Sequence, residues 1–320
     1  MAYDLEFEKP LAELEKRIIN LQRKGDRLKP EEYQQLQEME RELRRQTEDI
    51  YNHLSEWQTV QVARHKDRPY TLDYIPLICD DFFELHGDRA YADDHSIVAG
   101  VAKLDGQSIM LIGHQKGRDT KEKQFRNLGM PHPEGYRKTA RLMKQAEKFG
   151  LPIICLIDTS GAFPALGDEE RGQATAIAEN LYLMSNLRVP IVATVIGEGG
   201  SGGALAISVA DRILMMEYTI YAVASPEAAA NILWRDKAFA PQAAEAMRIS
   251  ARQLKALGLI DELIPEPLGG AHHNYRLAAD NLKAALARNL RDLQQLPTDE
   301  LLDLRYHKFR TIGVFDMVEA

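Results

Sequence analysis

Cysteine is nearly absent: Cys79 and Cys155 are the only two in 320 residues. Two thiols cannot frame a disulfide scaffold, and no Cys/His set has zinc-ligand spacing, so no metal site is expected on this chain. Cys155 lies in the apolar run PIICLI and reads as a core residue. Positive charge is also scarce. Lys and Arg total 40 against 48 Asp and Glu, a net of −8, which argues against general nucleic-acid binding. Long apolar runs are missing too, none approaching the ~18 residues that a membrane-spanning helix needs. The opening MAYDLEFEKP is acidic and has no apolar core, unlike a signal peptide. These absences lead us to expect a cytoplasmic protein. What remains is 45% apolar, enough for a substantial core in one large domain or two.

The stretch VPIVATVIGEGGSGGALAISVA, residues 189 to 210, carries the clearest chemical signal. A β-branched apolar run ending at Ile196 predicts a buried strand. Gly197, Gly199, Gly200, Gly202 and Gly203 then predict a turn, and Ala204 to Ile207 resume at helical spacing. Amides at the start of a helix have no internal partner and sit at the positive end of its dipole, so the turn suits an oxyanion. Three chemistries fit it. Gly197, Gly199 and Gly202 match a dinucleotide fingerprint, with Glu217 twenty residues on as a ribose ligand. Gly199, Ser201 and Gly203 match a nucleophile elbow, and Asp261 and His272 follow Ser201 in hydrolase order. In the third, the amides of Gly202 and Gly203 form an oxyanion hole. A P-loop is excluded because its lysine is missing.

Residues 5 to 24 and 30 to 66 read as two charged amphipathic helices, a hairpin with no chemistry of its own that packs on a partner or on the main domain. Residues 68 to 94 read as irregular. SIVAGVAKL and QSIMLIGHQ predict strands joined by a hairpin at Asp105-Gly106. The basic segment HQKGRDTKEKQFRN follows, with Lys116, Arg118, Lys121, Lys123 and Arg126. It reads either as an anion site or as a solvated edge. His114 reads as structural. A helix over 134–149 ends at Gly150, LPIICLID predicts a buried strand, and a second glycine turn leads into a helix over 168–187. Two buried strands with glycine turns at the same end build one crevice. Asp158 reads as a turn cap, with a functional carboxylate as the alternative. Glu169, Glu170 and Arg171 read as charging a helix start. Two short strands within residues 211 to 224, further helices, and a helix over 274–296 follow, and LLDLRYHKFRTIGVF is read as a last helix.

The segments RPYTLDYI, GDRAYADD, IGHQKGRDTKEK, GMPHPEGYRK, EERGQ, VIGEGGSGGALAI, SPEAAANILW and IPEPLGGAHHN lie in order along nearly the whole chain. In them the sequence resembles the carboxyltransferase alpha subunits of bacterial and plastid acetyl-CoA carboxylase. The resemblance implies an α/β crotonase-like fold, a spiral of ββα units, with an N-terminal helical hairpin (1–66) and a carboxyltransferase domain with C-terminal helices (67–320). It implies transfer of a carboxyl group from carboxybiotin, carried on the biotin carboxyl carrier protein, to acetyl-CoA. The product is malonyl-CoA, at the first committed step of fatty acid biosynthesis. It further implies an α2β2 assembly with a beta subunit that holds zinc and most of the acetyl-CoA site. ATP is used by the biotin carboxylase of the complex. Both reactants need stabilised enolates, which backbone amides supply without a proton transfer of their own.

Gly202 and Gly203 match the family's oxyanion-hole glycines. Gly199, Gly200, Gly161, Ala162, Lys116 and Arg118 are further candidates for holding the carboxybiotin side. The chain departs from the family in DTSGAFPALGDEERGQ: Ser160 stands for proline, Phe163 for tyrosine, Ala165 for glycine and Asp168 for alanine. Asp168 is expected to add negative charge near the anion site. A valine at Gly203 is expected to spare the fold and damage the chemistry.

Overall fold

The computed structural model describes residues 3–313. The end of the tail helix expected from sequence, Val314 and Phe315, lies outside the described residues, as do Met1 and Ala2.

Two helices, α1 (Lys9–Gln22) and α2 (Pro30–Asn52), form the expected hairpin, with Leu14 and Ile18 packed on Leu36 and Met39. The second helix is shorter than its charge pattern suggests. Ser55 accepts from the Gln58 amide and the Gln58 side chain answers the Ser55 amide, so the chain restarts as α3 (Glu56–Ala63). α3 leaves the hairpin and packs Val60 and Ala63 on Ile220, Ala244 and Ile249 of the main body. The segment read as irregular is in fact ordered. It holds α4 (Thr71–Ile78) and β1 (Asp80–Glu84). The short helix contains Pro76, which hides its period, yet it buries Tyr74, Ile75 and Ile78.

β2 (Ile97–Leu104) and β3 (Gln107–His114) pair antiparallel across Asp105 and Gly106, both at positive φ as a tight hairpin requires. After α5 (Thr120–Phe125) and α6 (Pro133–Phe149), which closes at left-handed Gly150, β4 (Ile153–Thr159) adds parallel to β3. The helix expected over 168–187 is two. Gly172, at φ 82°, separates α7 (Leu166–Glu170) from α8 (Gln173–Asn186).

β5 (Ile191–Gly200) runs parallel to β4 and is buried along its whole length. It continues four residues beyond the strand end expected at Ile196. α9 (Ser201–Leu205) follows at once, and β6 (Arg212–Met216) pairs with the inner half of β5. β7 (Ile220–Ala222) pairs with its outer half, Glu198 to Gly200. The chain ends with α10 (Pro226–Trp234), α11 (Ala240–Met247), α12 (Ala251–Ala256), β8 (Glu262–Ile264), α13 (Tyr275–Leu293) and α14 (Thr298–Arg310). The strand order is β1-β2-β3-β4-β5-β6-β8, with β7 against β5.

The parallel strands are apolar on both faces, and both faces are covered. On one side Leu111, Leu156 and Leu214 meet Tyr74 of α4 and Leu282 and Leu286 of α13. On the other Ile112, Cys155 and Val195 meet Leu142 and Met143 of α6 and Met184 of α8. Cys155 is a core residue as expected, and burial raises the pKa of its thiol. Two buried ion pairs tie distant segments to this core. Arg68 donates to both oxygens of Glu266 and to the Ile196 carbonyl, which joins the RPYTLDYI and IPEPLGG segments beneath β5. Arg305 of α14 reaches both oxygens of Asp211 and the carbonyls of Met184, Leu187 and Val189. Among the described residues no helix is long and apolar enough to cross a membrane.

Candidate functional site

The carboxyl ends of β4 and β5 lie side by side, and the loops leaving them touch backbone to backbone. A Cβ on Gly203 would stand 2.6 Å from the Ala162 nitrogen, and one on Gly200 would stand 2.9 Å from the Ser160 Cα. One on Gly199 would strike the Tyr221 ring at 2.7 Å. Only glycine permits this approach. Gly199, Gly200, Gly203, Gly161 and Ala162, named from sequence, therefore meet in one place. Gly202 differs from the others: its Cβ would make only ordinary contact, 3.5 Å from Ile177.

This corrects the expectation for Gly203. A valine there cannot leave the fold untouched, because its branched side chain would push the loop of Gly161 and Ala162 off the turn. Gly161 also gives shape more than a donor, since its amide is bonded to Thr159 Oγ1 at 3.1 Å. α9 starts without a side-chain cap, so the amides of its first turn, Gly202 and Gly203 included, are the donors that a helix start leaves unpaired. Ser201, exposed, holds φ at 53° to make this turn.

A buried ion-pair network underlies the glycines. Lys116 Nζ lies 2.7 Å from Asp158 Oδ1 and 3.7 Å from Glu198 Oε2. Asp158 Oδ1 also accepts from the Glu198 amide at 3.0 Å. Arg64 in turn bonds Glu198 at 2.5 Å and Glu227 at 2.7 Å. Burial works to lower the Lys116 pKa, but Asp158 and Glu198 outweigh it and hold the pKa above the ordinary lysine value. Asp158 is thus a buried strut between β3, β4 and β5, not the turn cap expected. Its amide donates to His114 Nδ1 at 3.4 Å, and burial aided by Lys116 pushes the His114 pKa down to about 3. The imidazole is therefore neutral, with its buried Nε2 lacking a hydrogen-bond partner among the described residues.

Arg118 does not reach the glycine turn. It pairs with Asp73, donates to the Lys66 carbonyl at 3.0 Å and stacks over the Tyr70 ring at 4.5 Å. Arg64, Glu198 and Tyr221 were not singled out from sequence. Arg64 ends a charged helix and looks like a solvated residue, and Glu198 is hidden among glycines. A carboxylate inside an otherwise apolar strand is the one available signal for Glu198.

Asp168 also differs from expectation. It is buried, bonded to His132 Nδ1 at 2.5 Å and to Arg171 at 2.8 Å, so its charge is compensated on the far side of the loop. Phe163 packs on the same His132 ring at 4.7 Å. His132, Glu134 and Asp168 bring ligand-type atoms within 4.8 Å of one another, yet Arg137 and Arg171 already pair with the two carboxylates.

The hydrolase constellation does not assemble. Asp261 accepts from the Ile213 amide and Lys308, while His272 stacks on His65 at 3.8 Å with burial driving its pKa down to about 2. Glu217, the ribose candidate, is held by Arg252 at 2.7 Å. The dinucleotide glycines lie mostly within β5 itself.

The family model described as acetyl co-enzyme A carboxylase carboxyltransferase-like matches residues 4–313. The acetyl-coenzyme A carboxylase carboxyl transferase subunit alpha of Geobacter metallireducens is 56% identical over 314 residues, covering 98% of each chain. That of Methylococcus capsulatus is 54% identical over 312 residues, covering 98% of this chain and 97% of its own. Among solved structures, a transcarboxylase 12S hexamer structure aligns at a TM-score of 0.58 and 21% identity, over 70% of this chain and 41% of that one. A Pseudomonas malonate decarboxylase hetero-tetramer aligns at 0.55 and 19%, over 67% of this chain and 85% of that one. The fold is the crotonase-like α/β fold of the carboxyltransferases, and the chain belongs to the family of acetyl-CoA carboxylase carboxyl transferase alpha subunits.

Proposed function

We propose that this chain is the alpha half of a biotin-dependent acetyl-CoA carboxyltransferase. In this reading it moves a carboxyl group from carboxybiotin on the biotin carboxyl carrier protein to acetyl-CoA, giving malonyl-CoA. The observation that carries the reading is the glycine contact between the two strand ends, where α9 starts without a side-chain cap and its first amides are left as donors. Uncapped amides at a helix start suit a developing negative oxygen. Carboxybiotin, when bound, supplies the carboxyl group.

The chain's own contribution is to hold charge. The Gly202 and Gly203 amides stabilise the oxygen that becomes negative, and no proton need move on the protein. Gly199 and Gly200 let the end of β5 close on Tyr221 and on the loop that carries Gly161 and Ala162, which sets where those amides stand beside carboxybiotin. Lys116, clamped by Asp158 and Glu198, fixes the turn from below and adds positive potential. Arg118 lies further out and meets the ligand's anionic portion.

A second enolate site of equal quality is not found on this chain among the described residues. The reading therefore includes a beta subunit, with zinc on that subunit, in an α2β2 complex served by biotin carboxylase. The division at residue 66 belongs to the same proposal, with the α1–α2 hairpin as the separable part. The test is co-expression with the beta chain from the same source and an assay of carboxyl transfer with malonyl-CoA. Activity should require both chains, and full turnover by this chain alone would contradict the reading.

A further inference from the structure

Beside the glycine turn, on the outer side of Lys116, the chain folds a recess of about 190 Å³ lined by Arg64, Lys66, Tyr70, Lys116, Arg118 and Lys123, with Gly117 and Leu128 between them. Five of these side chains are cations and none is an acid. Their carboxylate partners are not part of the lining: Glu198 and Glu227 for Arg64, Asp4 for Lys66, Asp158 and Glu198 for Lys116, Asp73 for Arg118. Those pairs hold four of the five cations in position around the recess. Lys123 makes no ion pair among the described residues.

The recess is built, not incidental. Gly117 lets the loop fold onto α5, for a Cβ there would stand 2.6 Å from the Glu122 carbonyl oxygen. Gly129 makes room for the Lys116 stem, which a Cβ would meet at 2.5 Å. Arg118 is further fixed by the Tyr70 ring. Preorganised cations around a small volume match a compact, multiply charged anion better than a single carboxylate, which one arginine satisfies.

We propose that this recess is a phosphate-binding subsite that takes a diphosphate or an equally close pair of phosphates. Lys116 borders both the recess and the network beneath the glycine turn, so an acyl-CoA that meets carboxybiotin at the turn can lay its phosphates in the recess. The nucleotide end of an acyl-CoA has that form, and this source rests on the function proposed above. The phosphate site itself does not, and a free nucleotide or pyrophosphate is the other source.

The experiment is calorimetric titration of inorganic pyrophosphate into the full-length chain, then into Lys123→Glu and Lys66→Glu variants. Saturable binding that each charge reversal weakens by about tenfold or more is expected. Absence of saturable binding, or variants that bind as the wild type does, overturns the proposal whatever the carboxyl-transfer assay shows. In the assembled complex, the source is read from KM. A rise of about tenfold for acetyl-CoA in Lys123→Glu, with none for S-acetylpantetheine, assigns the phosphates to acyl-CoA. Unchanged KM for both, with pyrophosphate binding intact, assigns them to a free nucleotide or pyrophosphate.

Discussion

Ser201 sits at φ 53°, a conformation that costs a non-glycine residue free energy, at the point where β5 becomes α9. In a hydrolase that strain would present a nucleophile. Here His272 and Asp261, the partners a hydrolase would need, are engaged elsewhere, and the serine fits as a small residue in a tight turn. Ser201→Ala should keep carboxyl transfer within about tenfold of wild type, or about 1.4 kcal/mol in the barrier. Ser201→Gly should match or exceed wild-type stability by up to about 1 kcal/mol in denaturant unfolding. Loss of activity with covalent capture of Ser201 by a fluorophosphonate would restore the hydrolase. His114 gives a second residue-scale prediction. Its pKa falls from 6.5 unfolded to about 3 folded, so between those values the unfolded chain binds the extra proton. Its contribution is complete above pH 6.5 and is lost as pH falls toward 3, by about 1.4 kcal/mol per pH unit. Denaturant midpoints of wild type and His114→Gln between about pH 6.5 and 5.5 would test this. The wild type should lose more stability, and parallel curves would count against it.

The β4–α7 loop is the element where this chain departs from its family, and the departures support one another. Asp168 and Phe163 both engage His132 at the start of α6, while Gln173 bonds the carbonyls of Pro131 and Phe163. Asp168→Ala, the family residue, should lower stability by about 1–3 kcal/mol, seen as a lower thermal midpoint. An unchanged midpoint would mean that the bonds to His132 and Arg171 add nothing. Such couplings are illegible in sequence because His132 and Asp168 lie 36 residues apart. What was legible at this scale was periodic or punctuated: the Asp105-Gly106 hairpin, the helix stop at Gly150 and the buried strands β4 and β5. What was missed was short or capped from within. α4 carries a proline, and α2 ends because Ser55 offers the backbone a better partner than another helical turn.

At the scale of the molecule, the two buried parallel strands with a glycine turn after each and the family could be read from the residues, whereas β1 could not. The struts could not, since they join ends of the chain through buried charge. Arg68 to Glu266 and Arg305 to Asp211 pin the flanking segments to β5 and β6. Arg305→Met should destabilise by about 3–5 kcal/mol, because Asp211 is left buried without its partner. Calorimetry should show the loss as a large fall in the unfolding temperature, and a fall of a degree or less would contradict it. The central claim is that the first turn of α9, closed against Gly161 and Ala162, is the charge-stabilising site of a carboxyltransferase. The most direct measurement is kcat for carboxyl transfer by the complex with the beta subunit, comparing Gly202→Ala with Gly203→Ala. Alanine at 202 meets only Ile177 at an ordinary distance, whereas alanine at 203 strikes the opposing loop. Gly202→Ala should stay within about tenfold of wild type. Gly203→Ala keeps its N–H, but its strike on Gly161 and Ala162 should move that amide off the developing oxygen, so kcat should fall at least about 100-fold in a complex that still co-purifies with its partner. Near-normal kcat for Gly203→Ala would mean that the developing charge is held elsewhere.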